Sequence, residues 1–279
     1  MAGWDRTMSY NEVFADRAVA ISISESPDMA ALGLGDEHLR DAMAEISRHL
    51  LALGARLVFG GDLRANGFSH LLFELVSRHR RDADAGDRRA GVINYLAWPV
   101  HLRMALSDLE GALADLVDTA DLICLELDGS RQSMDVRRQL QPRKPTDTEW
   151  SAGLTAMRSV MLSESDARIV LGGRVDQYKG VMPGIAEEAL LSLRAQRPLF
   201  VMGGFGGCAR DIAETLGLVE PWAVVRGAWP GREAMEAFDF TSLKNGLTQE
   251  ENATLARTPH VDQAISLILR GLNNVGAVV

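Results

Sequence analysis

The sequence predicts an α/β domain of Rossmann-like, doubly wound build, with a mostly parallel sheet of about six strands and a C-terminal helical appendage. Three observations lead there. Short apolar runs of Val, Ile and Leu alternate with longer segments whose apolar residues recur at helical spacing, the βα signature of a parallel sheet. These units follow one another along most of the chain, which calls for helices on both faces of the sheet. Glycine clusters close three of the strand-like runs.

The units read in order. A strand at 18–24 precedes a helix with Leu39, Met43, Ile46, Leu50 and Leu53 on one face. A strand at 55–59 precedes a helix carrying Phe68, Leu71, Leu72 and Leu75. Residues 91–98 read as a third strand, and Leu109, Leu113 and Leu116 mark the next helix. Then come a strand at 122–127 with a helix at 150–162, a strand at 167–171 with a helix at 184–194, and a strand at 198–202 with a helix at 207–216. Two stretches break the rhythm. Residues 129–146 are polar and locally basic, with Arg131, Arg137, Arg138, Arg143 and Lys144. A stretch of this kind is either a functional lid or a mobile solvated loop. After Leu218, a capping box from Thr248 to Glu251 and an apolar stripe of Val261, Ile265, Ile268 and Leu272 indicate helix. The expected organisation is a nucleotide-binding domain over 1–218, with a helical extension over 219–279 packed on it. No internal repeat or low-complexity segment interrupts it.

Composition narrows the function classes. In 279 residues, 47% hydrophobic and 24% charged, there is ample material for a globular core. A net charge of −9 argues against a nucleic-acid-binding surface but not against a small anion, which needs only a few local donors. Two cysteines, Cys124 and Cys208, cannot build a disulfide framework, so a cytoplasmic location is expected. The first residues lack the apolar core of a signal peptide, and no run is long enough to span a membrane.

The candidate chemistry sits at the strand ends. Gly60-Gly61 closes the second strand, Gly172-Gly173 the fifth, and Gly203-Gly204-Phe205-Gly206-Gly207 the sixth. In an open parallel sheet the ligand crevice lies outside these ends. Glycine lets the backbone approach a ligand, and the helix that follows presents free N–H groups to phosphate. Glycine is also the ordinary residue of tight turns, so both readings stand. There is no P-loop motif and no G-x-G-x-x-G after the first strand, which disfavours both a P-loop NTPase and ordinary dinucleotide-dependent hydride transfer. Ser22, Ser24 and Ser26 offer hydroxyls to a phosphate or ribose, or simply form a serine turn.

Other residues carry two readings each. Glu187 and Glu188 stand in the first turn of the helix after Pro183-Gly184, where the helix dipole alone favours acids. Alternatively, one of them enters the crevice to hold ribose hydroxyls or to act as acid or base. Arg174 and Lys179, just before, suit phosphate or carboxylate oxygens. Tyr95 and Trp98 either stack on a base or belong to the core. His70 and His101 have no metal-ligand spacing, and Cys208 reads as a packing residue.

The run from Gly172-Gly173 through Pro183-Gly184-Ile185-Ala186-Glu187-Glu188 resembles an interrupted form of the P-G-G-x-G-T-x-x-E signature of the SLOG superfamily. That superfamily includes the Lonely Guy phosphoribohydrolases, DprA-like proteins and sensor domains resembling the ADP-ribose-binding region of TRPM channels. The segments ARLVFGGDLRANGFSHLL and LFVMGGFGGCARDIAETLGL resemble its prokaryotic sensor branch, and the likeness covers about residues 17–218. Two departures stand out. Ten residues separate Gly173 from Gly184, and Ile185 replaces the signature threonine. The resemblance therefore implies a sensor of an NAD-derived nucleotide such as ADP-ribose or a cyclic relative, acting in antiviral or stress pathways. The alternative is a nucleotide N-glycosidase with Glu188 as its catalytic carboxylate, and a third class is an oligomeric scaffold with a vestigial pocket. In the sensor reading Gly60, Gly61, Gly203, Gly204, Gly206 and Gly207 cradle phosphates, Arg174 and Lys179 neutralise them, and Glu188 takes ribose hydroxyls. Ser24, Asp62, Gly172, Gly173, Gly184 and Phe205 complete the expected ring. No cofactor or metal is expected. The expected partners are the small-molecule nucleotide, a second copy of the chain in a homo-oligomer, and possible effectors.

Overall fold

The computed structural model describes residues 12–82, 91–221 and 229–276. Its strands are β1 (Ala18–Ser24), β2 (Arg56–Gly60), β3 (Val92–Leu96), β4 (Ala120–Cys124), β5 (Ala167–Gly172) and β6 (Leu199–Met202). The helices are α1 (Asp36–Ala52), α2 (Phe68–Asp82), α3 (Trp98–Leu102), α4 (Leu106–Asp115), α5 (Met134–Arg138), α6 (Asp147–Ser163), α7 (Gly184–Arg194), α8 (Gly207–Thr215), α9 (Arg232–Met235), α10 (Gln249–Arg257) and α11 (Val261–Gly276). All six strands pair in parallel in the order β4-β3-β2-β1-β5-β6. The chain walks outward from β1 to β4 and then crosses back to the other side of β1. The order therefore reverses between β1 and β5. The fold is Rossmann-like α/β, as the alternation of strand and helix runs predicts.

Side-chain parity explains why the strands are apolar on both faces. Val19, Ile21 and Ile23 of β1 and Ala167, Ile169 and Leu171 of β5 share a core with Leu39, Met43 and Ile46 of α1. The alternate residues look the other way. Ala20, Val58, Ile93 and Tyr95 pack on Met157 and Met161 of α6, and Val170 and Val201 pack with Ala186, Ala189 and Leu190 of α7. Two capping boxes, Thr146 with Glu149 and Thr248 with Glu251, start α6 and α10. Each satisfies orphan N–H groups at a helix start.

Two segments differ from the periodicity. The fourth strand begins at Ala120 and ends at Cys124, because Leu125 bridges antiparallel to Arg131 and turns the chain back. The basic stretch 129–146 contains α5, whose Arg137 is fully buried and donates to the carbonyls of His101, Met104 and Leu140. Arg138 and Arg143 pair with Glu110 and Glu149. This stretch is tied to the body of the fold by its own cations.

At the far end, Leu255 of α10 and Ala264, Ile265, Ile268 and Leu272 of α11 join the core that holds Phe200 and Met202 of β6. No helix among the described residues is long and apolar enough to cross a membrane.

Candidate functional site

The reversal of strand order leaves the loops after β1 and β5 to diverge at the carboxyl edge, where open α/β sheets bind ligands. Two cavities, about 370 and 260 Å³, meet there. They share Ile23, Ser24, Phe59, Gly60 and Arg174, and so form one groove across the ends of β1 and β2. The larger part reaches Glu25, Gly61, Asp62, Arg64 and Ser69; the smaller runs between Met157 and Arg158 of α6 and Gly184 and Glu188 of α7. A further cavity of about 290 Å³ continues past Glu25 and Arg64 to the start of α1. Another, about 500 Å³, lies between α2 and α4, and none of the strand-end glycines lines it.

The neighbouring glutamates of α7 have different roles. Glu187 is buried and bonded to Arg158 and Thr155 of α6, a link between two helices. Glu188, one position on, lines the groove, and its Oε2 lies 3.5 Å from Nη1 of Arg168. Arg168 sits in β5 with the parity of Val170, so it faces α7. It pairs in register with Ala20, and its guanidinium reaches two residues along β1 to donate to Ser22 Oγ at 2.8 Å. Burial lowers its pKa, Glu188 opposes that shift, and Arg158 adds to it. Its Nε and Nη2 have no hydrogen-bond partner among the described residues. Behind the groove wall there is thus a buried cation that is only partly satisfied, beside a buried carboxylate that lines the groove.

The other wall is fixed by Asn94 of β3. Its Nδ2 donates to the Gly61 carbonyl at 3.2 Å, and its Oδ1 accepts from Ser69 Oγ at 2.9 Å. One buried amide therefore sets the turn after β2 and the start of α2. At the β1–β5 junction, Gly172 and Gly173 adopt φ values of 65° and 96°, a region that disfavours side chains. That bend brings the Gly173 N–H to the Ser24 carbonyl at 2.8 Å.

Among the residues expected from sequence, the structure brings Ser24, Gly60, Gly61, Asp62, Arg174, Gly184 and Glu188 together around the groove. Gly172 and Gly173 form the bend just behind it. Lys179 follows Tyr178, which lines the groove, and its own Nζ is 4.1 Å from the centre of the Trp150 ring. Gly203, Gly204 and Phe205 are buried at the foot of α10, where a Cβ at Gly204 would collide with the Thr258 carbonyl. Close backbone approach there is to the chain itself. Gly207 begins α8, and its N–H donates to Asp28 Oδ2 at 2.8 Å, so a carboxylate of the same chain occupies that anion position. Gly206 contacts the same turn: a Cβ there would lie 3.0 Å from that of Asp28. Tyr95 is buried in the α6-side core, and Trp98 donates to Glu149.

Sequence reasoning passed over Glu25, Asn94, Arg158 and Arg168. Two of these left a signal: an arginine within the apolar run ARIVLG and an asparagine within VINYL, both in strands buried on two faces. A charge in such a place requires a partner.

A comparison with curated proteins gives no match. The family model described as SLOG cluster2 matches residues 13–241, which spans all six strands, the groove and helices α1 to α9. The chain belongs to the SLOG cluster2 family.

Proposed function

We propose that the groove binds an NAD-derived nucleotide, such as ADP-ribose or a cyclic relative, and that the protein acts as a sensor of it. The observation that carries this reading is the groove itself. It lies at the reversal of strand order, and its two overlapping parts offer about 370 and 260 Å³. Hydroxyl, backbone and guanidinium donors line it, from Ser24, Gly61 and Arg174, and one carboxylate, Glu188, stands at its inner end. Membership of a SLOG family agrees with a nucleotide-related ligand. In this reading Glu188 takes ribose hydroxyls, and the signal is passed on through self-association or an effector, in a stress or antiviral setting.

A second reading, N-glycosidic cleavage of a nucleotide, draws support from Glu188 beside the buried Arg168, since in that reading this carboxylate stands beside the ribose of the bound substrate. Calorimetry against NAD, ADP-ribose, cyclic ADP-ribose and AMP tests binding, and chromatography for free base tests cleavage. We expect saturable binding without base release. Glu188→Gln should then weaken binding by about 1 kcal/mol, the size of one hydrogen bond. Base release by the wild type that falls roughly 10²-fold in Glu188→Gln, with binding retained, would establish the hydrolase instead. A flat calorimetric response from folded protein would remove both.

A further inference from the structure

The two arginines lining the larger part of the groove are each already held by an acid of that same groove. Arg174 Nη2 lies 3.0 Å from Glu25 Oε2, and Arg64 Nε lies 3.2 Å from Asp62 Oδ1. The first pair has a distinctive position. Glu25 directly follows β1 and Arg174 follows the Gly172-Gly173 bend after β5, so their contact joins the two loops that part at the reversal of strand order. Both side chains are about half exposed, at 52% and 51%. An exposed pair of this kind is worth little, so its members exchange partners readily.

We propose that Glu25 is a built-in stand-in for the anion of the ligand: it holds Arg174 across the groove and yields it when a phosphate-bearing ligand enters. This rests on the reading that the groove takes an anionic nucleotide, and it deepens that reading by naming the residue that sets the selectivity. A phosphate offers Arg174 a better, bidentate partner than a half-solvated carboxylate. A neutral nucleoside offers none and leaves the pair closed. Glu25 therefore opposes every anionic ligand by the strength of one exposed ion pair, and the opposition acts through Arg174.

The test uses the full chain, with ADP-ribose and adenosine as probes. Glu25 is half exposed and Gln is isosteric with it, so the fold of Glu25→Gln should survive. This variant should bind ADP-ribose about two- to fivefold more tightly, the ratio that corresponds to an exposed ion pair. Adenosine binding should not change. Arg174→Gln should weaken ADP-ribose binding by about tenfold or more, as expected for a lost charge-assisted hydrogen bond. In the Arg174→Gln background, Glu25→Gln should bring no gain. The gain should also shrink at 0.5 M salt, where exposed charges are screened. If the wild type binds ADP-ribose but Glu25→Gln binds it equally or less tightly, the exchange is wrong while the nucleotide reading stands. A gain that persists on Arg174→Gln overturns the exchange as well, since Glu25 would then act by bare repulsion. If neither the wild type nor Glu25→Gln binds ADP-ribose, while melting curves show folded protein, the nucleotide reading fails and takes this inference with it.

Discussion

Single side chains divide the labour here with one-residue resolution. Glu187 and Glu188 are adjacent, yet one turns toward Arg158 and Thr155 and the other toward the groove. Glu187→Gln leaves the buried Arg158 without its counter-charge and should cost about 3 kcal/mol of stability, read as a lowered urea midpoint. Its effect on ligand affinity at temperatures where the variant is folded should be small. His101 makes a pH prediction. Burial lowers its pKa to about 4, while its ring nitrogen bonds the Leu125 carbonyl. The folded value lies below the unfolded one, so the unfolded chain takes up the proton first as pH falls. Stability due to neutral His101 is complete above about pH 6.5 and is lost progressively down to pH 4, by up to about 3 kcal/mol. Urea midpoints across that window should fall in the wild type and fall less in His101→Gln. Much of this was hidden in the sequence for a physical reason. A glutamate pair in a first helical turn is favoured by the dipole whichever way each member points, and only the packing of α6 on α7 decides the direction.

Among the elements, helix faces and strand runs were legible because periodicity reports burial directly. Both α7 and β1 fall where their patterns place them. The stretch 129–146 was not legible, since a five-residue helix has no periodicity to read. Its order comes from one arginine instead. Arg137 supplies donors to three backbone carbonyls, two at the end of α3 and one in its own stretch. Arg137→Ala should strand those carbonyls and cost about 3 kcal/mol, with the first loss of hydrogen-exchange protection in α5 and at the end of α3. The third glycine cluster teaches a related lesson. Its place after a strand suggested a phosphate loop, and glycine is needed there, but Gly204 meets the Thr258 carbonyl. Whether a glycine faces a ligand or its own backbone depends on what packs above it, and here that is a turn far along the chain.

At the scale of the whole molecule, the C-terminal helices share a core with β6 and α1. We therefore propose that they are part of the folding unit. A chain ending at Leu247, before α10, should expose Phe200 and Met202 and show no cooperative melt; a melt like that of the full chain would mean the helices only decorate it. The strand order carries a last consequence. The pair at the reversal, β1 with β5, joins residues 148 positions apart, as in the bond from the Ala18 N–H to Asp166. At roughly 5–20 residues per second, a ribosome needs about 7 to 30 seconds to deliver the second of these strands after the first. Throughout that interval β1 can pair with β2 but presents a bare apolar edge on its other side. The groove, whose walls come from both halves, does not exist until the later half emerges. Newly made chains should for that time be clients of holding chaperones and blind to any nucleotide around them.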